Sequence, residues 1–546
     1  MGLWDTKEQR LQLLTELVAI PSVTNSQAEF DFPYAVLERL NQLSYFQSFP
    51  EHLQLHPVGD GRHVLTALVK RSPETRNTVI LVSHFDVVDV QDYGSLRDDA
   101  FRSDALTALF LADPDLLPDD VKSEITTGTW VFGRGTMDMK CGLVLHMSIL
   151  EQACNTEFDG NILLLAVPDE EVNSIGMRTA VPCLRELARE QNLDYKLLLN
   201  SEPMFGRYPG DKENYIYTGS IGKVLPGFLC YGKETHVGEP WSGLNGNYMA
   251  SMVTSELELN WDLCEQVDTE LTPPPTNLIQ KGLKDDYSAQ IPYRAVTLFN
   301  MFLYKRSMQE VVDLLLQSTR RVAAKIEAEC RVKAANFAHF YGIDKEDVTV
   351  QVFTYEELYQ YAVTTYGPDE VARTLQNALY HYDVRDERDM TIQLVNHLAT
   401  LCRELAPMIV LFFAPPFYPA VDTAESKLVS KLVTDVTAHA KQDYGLKLNH
   451  QHYFGGISDL SFVGLAHPVE TLAPFTNNTP LWPDRYVLPL EDMRQFDVPV
   501  LNLGPIGRDA HKWTERLEVD FSLDTLHKLL TRCIHNAFDE LHTQCV

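Results

Sequence analysis

Long apolar runs are missing from these 546 residues. No stretch reaches the roughly 18 consecutive apolar residues that a membrane-spanning helix needs, so no transmembrane segment is expected. Cysteine pairs are missing as well. The nine cysteines, at 141, 154, 183, 230, 264, 330, 402, 533 and 545, are odd in number and form no CxxC. That spacing argues against a disulfide framework and a thiolate zinc site, and for a reducing, cytoplasmic setting. Positive charge is in short supply. Lys and Arg number 46 against 76 Asp and Glu, for a net charge of −30, which opposes nucleic-acid and anionic-membrane partners because both are polyanions. No GxSxG occurs; the nearest stretch reads Gly219-Ser220-Ile221-Gly222, so serine-hydrolase chemistry has little support. The first twenty residues are charged and helix-periodic and lack an apolar h-region with a cleavage site, so they do not read as a signal peptide. Met1-Gly2 followed by Thr6 fits a myristoylation pattern, but one short enough to arise by chance. There is no internal repeat and no low-complexity tract.

What is present reads as an ordinary soluble composition, 45% hydrophobic and 22% charged, in a chain too long for one core. The acidic surplus suits a cation, either metal or a basic small substrate, although a solvated acidic surface is its commoner cause. Residues 7–20 predict a helix ended by Pro21, and a second helix runs from a cap at Asn25 or Ser26 to Leu43. RHVLTALVK (62–70) and the strand from 77 to His84 are apolar on both faces, as in a sheet covered by helices. Residues 89–128, rich in Asp, interrupt this regularity and read as a partly ordered flap. Strands at NILLLAVPDEEV and YKLLLNSEP alternate with helices at 141–152 and 177–190, which predicts a mainly parallel α/β sheet with right-handed crossovers.

Composition shifts near 220. A strand (KVLPGFLCY), a helix (GNYMASMVTSELELN), a second strand (RAVTLFNMFLY) and a long helix from Met308 to about Val332 predict a two-layer α+β unit. A mostly helical stretch, 340–405, follows. Buried-strand character returns at PMIVLFFAPPFYP, then come a helix at 425–442, the turn HYFGGISDLSF, the strand VPVLNLGPIGRDAH and a last helix at 522–541. The expected organisation is a catalytic domain in two parts, 1–222 and 406–546, with residues 223–405 inserted as a lid.

In an open α/β sheet ligands bind beyond the carboxyl ends of the strands. His84, Asp86, Asp138, Glu170, Glu171, Glu202 and His511 all fall at such ends. A histidine at a strand end is usually structural and a Glu-Glu pair is usually a solvated turn. Their coincidence at one end of one sheet, and their being the donors that a zinc-like ion takes, favours a metal site. One catalytic ion needs three such ligands plus water, so the number here implies two ions sharing a carboxylate. Asp138, turned tightly between glycines, is the natural bridge. Asp86 lies two residues past His84, on the same strand face, where it can fix the imidazole tautomer. Of Glu170 and Glu171, pointing in different directions, one should bind metal and the other serve as general base.

ELVAIPSVT, SHFDVV, GRGTMDMKCG, PDEEV, SEP, GKETHVGEP, GGISD and GPIGRDAH, in that order, resemble the di-zinc amidohydrolase/peptidase family that includes carboxypeptidase G, aminoacylase and succinyl-diaminopimelate desuccinylase. The likeness covers most of the chain outside 89–128 and 340–405. Its length and its HFDVV, PPFYP and GGISDLSF wording are most similar to the RocB-type arginine-utilisation branch. The resemblance implies one metal on His84, Asp138 and Glu202, a second on Asp138, Glu171 and His511, Glu170 as base and Asp86 as the orienting carboxylate. It implies a cis Asp138–Met139 bond, and it makes His236 the match of a histidine that relatives donate across a dimer interface to the oxyanion. Read without it, His236 is a surface loop residue. Gly455, Gly456 and Asp459 would lie beside substrate, Asp459 either meeting a cationic group or merely capping a helix. Relatives that read a substrate carboxylate carry an arginine in the lid strand, whereas here the strand reads LFNMFLY and Arg306 comes late.

Together these readings predict a di-metal hydrolase, with zinc, cobalt or manganese as the divalent pair. Its substrate would be an N-acyl or carbamoyl amino acid, or an arginine-pathway ureido compound such as citrulline. Two alternatives are a short-peptide dipeptidase or aminopeptidase and a non-catalytic binding relative. A homodimer through the inserted domain is expected.

Overall fold

The computed structural model describes residues 2–208, 210–284, 286–343, 347–381 and 386–543; Met1 of the myristoylation pattern and Cys545 lie outside them. Every cysteine at a described position is a free thiol. No helix among the described residues is long and apolar enough to cross a membrane. The chain forms two compact units, one of Met1–Ile221, Ala420–Leu465 and Pro489–Val546, the other of Gly222–Pro419 and Ala466–Leu488.

The first unit is built on an eight-stranded sheet. Its strands lie in the spatial order Leu53–Pro57, His63–Val69, Asn161–Val167, Asn77–His84, Asp194–Asn200, Val500–Asn502, Asn214–Tyr217 and Leu448–Gln451. The middle is parallel: Asn77–His84 runs with both Asn161–Val167 and Asp194–Asn200, and Val500–Asn502 runs with the latter. Asn161–Val167 is buried at every position, which is why it is apolar without alternation. Helices Lys7–Val18 and Lys140–Cys154 pack against this core with the last helix, Leu526–Thr543. Lys7–Val18 starts at a capping box in which Thr6 and Gln9 satisfy each other's backbone N–H groups. The second helix is capped by Ser26 and ends at Leu40, before the expected Leu43.

Residues 89–128 are not a flap. They fold into short helices whose Tyr93, Leu106, Phe110, Val121 and Ile125 form an apolar core with Phe132. The Asp-rich stretch hid a helical pattern, because its acidic residues occupy the outer faces. Nearby, Trp130–Phe132, Arg516–Glu518 and Gly507–Arg508 make a small three-stranded antiparallel sheet.

The second unit carries a five-stranded sheet, in the order Thr276–Gly282, Arg294–Leu303, Gly222–Tyr231, Met408–Tyr418 and Gln351–Thr354. Helices Gly246–Leu257 and Met308–Tyr341 pack on it, the latter nine residues longer than its sequence pattern suggests. Residues 340–405 supply Tyr355–Tyr366, Pro368–His381 and Glu387–Leu401. Leu358, Ile392, Val395 and Leu398 from this group pack on Leu225, Leu229, Met408, Val410 and Phe412 of the sheet. The expected return to the first domain at 406 therefore occurs at 420. Met408–Tyr418 pairs antiparallel with Gly222–Tyr231, and Ala466–Leu488 also belongs to the second unit. A fully apolar strand carries no mark of the sheet it will join, so composition alone placed this boundary too early.

Candidate metal centre

Because Asn77–His84, Asn161–Val167 and Asp194–Asn200 are adjacent and parallel, their carboxyl ends coincide. The residues there, His84, Glu170, Glu171 and Glu202, share one end of the sheet. Asp138 and His511 reach it by another route. Asp138 follows Trp130–Phe132, and His511 lies between Gly507–Arg508 and Arg516–Glu518, so the small antiparallel sheet carries both. The buried Glu515 fastens the two segments: its Oε1 accepts the Gly135 N–H at 2.7 Å and its Oε2 accepts from Arg134 Nη1 at 2.6 Å. Arg134 also donates to Asp92 at 3.0 Å. Neither Arg134 nor Glu515 stood out in the sequence, since a buried acid paired with a distant arginine leaves no local pattern. Gly135 holds φ +80°, and a Cβ on Gly504 would stand 1.7 Å from the Glu202 carbonyl oxygen. Both positions require glycine.

Five of the predicted ligands converge. His84 Nε2 lies 3.4 Å from Asp138 Oδ1 and 3.3 Å from Glu202 Oε1. His511 Nε2 lies 3.3 Å from Asp138 Oδ2 and 3.0 Å from Glu171 Oε1. Asp138 thus turns one oxygen to each histidine, and the sets His84–Asp138–Glu202 and Asp138–Glu171–His511 each offer donor atoms within 4.8 Å of one another. Glu202 Oε1 has no hydrogen-bond partner among the described residues despite its nearness to His84. An acceptor and an imidazole nitrogen at this separation are spaced as ligand atoms around a common centre are spaced. The donor chemistry, imidazole and carboxylate, fits divalent ions of the zinc type.

The surroundings hold these groups in place. The His84 Nδ1 is 3.0 Å from the Asp86 backbone carbonyl and 3.6 Å from its carboxylate. Assigning the proton to Nδ1 on that contact leaves Nε2 facing the cluster. The fully buried Asp86 carboxylate accepts from the Glu170 N–H at 3.0 Å, the Glu171 N–H at 3.3 Å and Thr24 Oγ1 at 2.8 Å. It therefore locks the Glu-Glu turn as well as facing the histidine. Behind that turn Arg62 Nη1 donates to Asp169 Oδ1 at 2.8 Å and lies 3.2 Å from Glu29 Oε1. Glu170 Oε2 is 4.0 Å from His84 Nε2. The Asp138–Met139 peptide is cis.

The charge balance is lopsided. Burial resists protonation of His511, yet Asp138 and Glu171 push the imidazole up to about 11. His84 is likewise held well above its ordinary value by Glu202, Asp138 and Asp86 against burial. Burial pushes Glu202 up to about 7, and burial with Glu171, Glu202 and Asp459 nearby raises Glu170 well above the carboxylate range. Protons gather where the carboxylates crowd, and a bound cation would displace them.

The remaining candidates are not among the converging donor atoms. His236 is in the second unit, exposed on a loop, with its Nδ1 accepting the Gly238 N–H at 3.0 Å. Gly455 is exposed and Gly456 half-buried, while Asp459 is buried in the short turn Asp459–Phe462 of the first unit. Arg306 donates to the backbone carbonyls of Leu263 and Cys264, so its guanidinium is engaged by the chain itself.

A profile described as peptidase family M20/M25/M40 matches residues 109–536. The Bacillus subtilis (strain 168) protein YqjN is 45% identical over 528 residues, covering 97% of this chain and 96% of its own. Protein RocB of the same organism is 30% identical over 536 residues, 96% of this chain and 94% of its own. Among solved structures, an M20 family metallo-carboxypeptidase from Sulfolobus solfataricus has a TM-score of 0.54 at 13% identity, covering 97% of this chain and 99% of its own. At that identity the likeness is one of fold.

Proposed function

From the premise that this chain belongs to peptidase family M20/M25/M40, we propose that it hydrolyses an amide-type C–N bond of a small amino-acid derivative. The observation that carries the reading is the Asp138 carboxylate, one oxygen toward His84 and the other toward His511. His84, Asp138 and Glu202 would hold one divalent ion, and Asp138, Glu171 and His511 a second. Zinc suits these donors, as do cobalt and manganese. When bound, such a pair lowers the pKa of water toward 7 and polarises the scissile carbonyl.

The chain's own groups do the rest. Glu170, ionised once bound cations offset its acidic neighbours, takes a proton from the attacking water and returns it to the leaving amine. Asp86 holds His84 in its tautomer and the Glu170–Glu171 turn in its direction. His236 donates to the developing oxyanion, supplied by a second copy of the chain in a homodimer formed through the inserted unit. Gly455 and Gly456 flank the substrate. The free thiols and the acidic balance support a cytoplasmic protein. The engaged Arg306, and the resemblance to the RocB-type arginine-utilisation branch, favour a basic N-acyl or ureido derivative such as citrulline over a substrate read by its C-terminal carboxylate.

Short-peptide hydrolysis is the second reading, favoured by the family's peptidase members. A panel of N-acyl, ureido and dipeptide compounds assayed with zinc-reconstituted protein separates the two. Release of ornithine or another basic amino acid supports the first, and activity confined to ordinary dipeptides rejects it. About two metal ions per chain are expected. Failure to retain any after reconstitution would leave a binding relative without hydrolytic chemistry.

A further inference from the structure

Asp459 is 1% exposed, and neither of its carboxylate oxygens has a hydrogen-bond partner among the described residues. A buried carboxylate without donors is expensive, so it needs a physical cause. Capping does not supply one. Ser458, not Asp459, precedes the Asp459–Phe462 turn, and neither side chain caps it. The turn itself is well fixed. Ser458 Oγ donates to Ser220 Oγ at 3.0 Å, Ser220 and Ser461 are 3.1 Å apart, and the turn packs on the strand that ends in His84. Its backbone is held on both sides of Asp459 while the carboxylate is left over.

Among the charged groups whose fields reach that carboxylate are His84, Glu202, Asp86 and Asp169, and it acts in turn on Glu170. With its turn packed on the strand that ends in His84, Asp459 lies on the side of the cluster described above, among acids. Asp86, Asp138, Glu170, Glu171, Glu202 and Asp459 together would outnumber the positive charges of two divalent ions by two.

We propose that Asp459 anchors a positively charged nitrogen of the substrate, an ammonium or guanidinium group, and so selects cationic amino-acid derivatives. The proposal rests on the hydrolase reading above and narrows it to a substrate class. Among the described residues Asp459 has no hydrogen-bond donor, so the ligand's N–H groups would supply the missing bonds. A neutral ligand in the same place would leave the carboxylate buried and unpaired.

The test reads binding apart from turnover. Zinc-loaded Glu170→Gln protein, with and without Asp459→Asn, is titrated in a calorimeter with three probes. Nα-acetyl-L-lysine carries a side-chain ammonium, L-norleucylglycine an α-ammonium, and Nα-acetyl-L-norleucine neither. At least one cationic probe should bind about tenfold or more tightly than the neutral one. Asp459→Asn should weaken that probe roughly 100-fold and change the neutral probe less than about threefold. Metal content and melting temperature of the two proteins should match, which excludes misfolding as the cause. Equal binding of the neutral probe, no binding of either cation, or equal weakening of all three by Asp459→Asn overturns the proposal. Turnover by the Glu170-containing protein is scored separately. Selective cation binding without hydrolysis of any probe would sink the hydrolase reading alone, and brisk hydrolysis with indifference to charge would sink this one alone.

Discussion

In the first unit charged side chains are buried freely: Glu29, Arg62, His84, Asp86, Arg134, Asp138, Lys140, Asp169, Glu170, Glu202, Asp459 and Glu515 are all nearly sealed from solvent. In the second unit, among the described residues, Glu265 and Glu270 are the buried acids and no basic side chain is buried. Glu265 is fully occupied by the backbone N–H groups of Tyr304, Lys305 and Arg306, which is a structural use. Both units build a covered sheet from apolar strands, and each core would be complete without ions. Burying a charge costs several kcal/mol unless it is paired or bound; Arg134 with Glu515 and Arg62 with Asp169 are paired, while the acids crowded around His84 and His511 are left for a bound cation to stabilise. On the proposed function, the metal centre and the base lie in the first unit, and the second contributes His236 and shape.

The sharpest way to break that division is through the base. Glu170→Gln should lose about 100- to 10,000-fold in kcat with metal content, measured by elemental analysis, unchanged. In contrast, Asp138→Ala should strip the protein of both ions. If Glu170→Gln turns over normally, the first unit's buried acids need another explanation. His236→Ala asks whether the second unit supplies any reacting group. The expected loss is about 100- to 1,000-fold in kcat without loss of metal, and an unchanged kcat would reduce the second unit to a scaffold.

The smallest effect concerns stability. His146 is fully buried between Ser83 and Ser201 (2.8 and 3.0 Å), directly behind His84 and Glu202. Burial pushes it down to about 3. A histidine kept neutral in the folded state loses ground wherever the unfolded chain takes up the proton, so stability is complete above about pH 6.5 and falls as the pH drops toward 3. By pH 4 the deficit is roughly 3 kcal/mol from this residue. His527, also pushed down to about 3 by burial, adds to it. Denaturant titrations at pH 7 and pH 4 should show the loss, and His146→Asn should lessen it. A stability that is flat over this range would mean that water reaches both imidazoles.

Much of the centre could be read before any coordinates. Apolar strands buried on both faces announce themselves in composition, and the residues just past their ends follow from chain direction alone. That is why His84, Glu170, Glu171 and Glu202 were legible, and why Asp138 and His511 could be set beside them as candidates. Arg134 and Glu515 were not legible, because their pairing joins segments far apart in the chain. The helical packing of 89–128 was masked by its acidic outer faces.

Residue types, strand ends and a mainly parallel catalytic sheet were therefore determined by the sequence itself, since each depends on local periodicity and hydrophobic content. The tertiary structure alone decided that Met408–Tyr418 joins the second sheet, that one Asp138 oxygen faces each histidine, and that Asp459 is left without a donor among the described residues. Those outcomes depend on which distant segments pack together and where their side chains then point. No local stretch of chain encodes that.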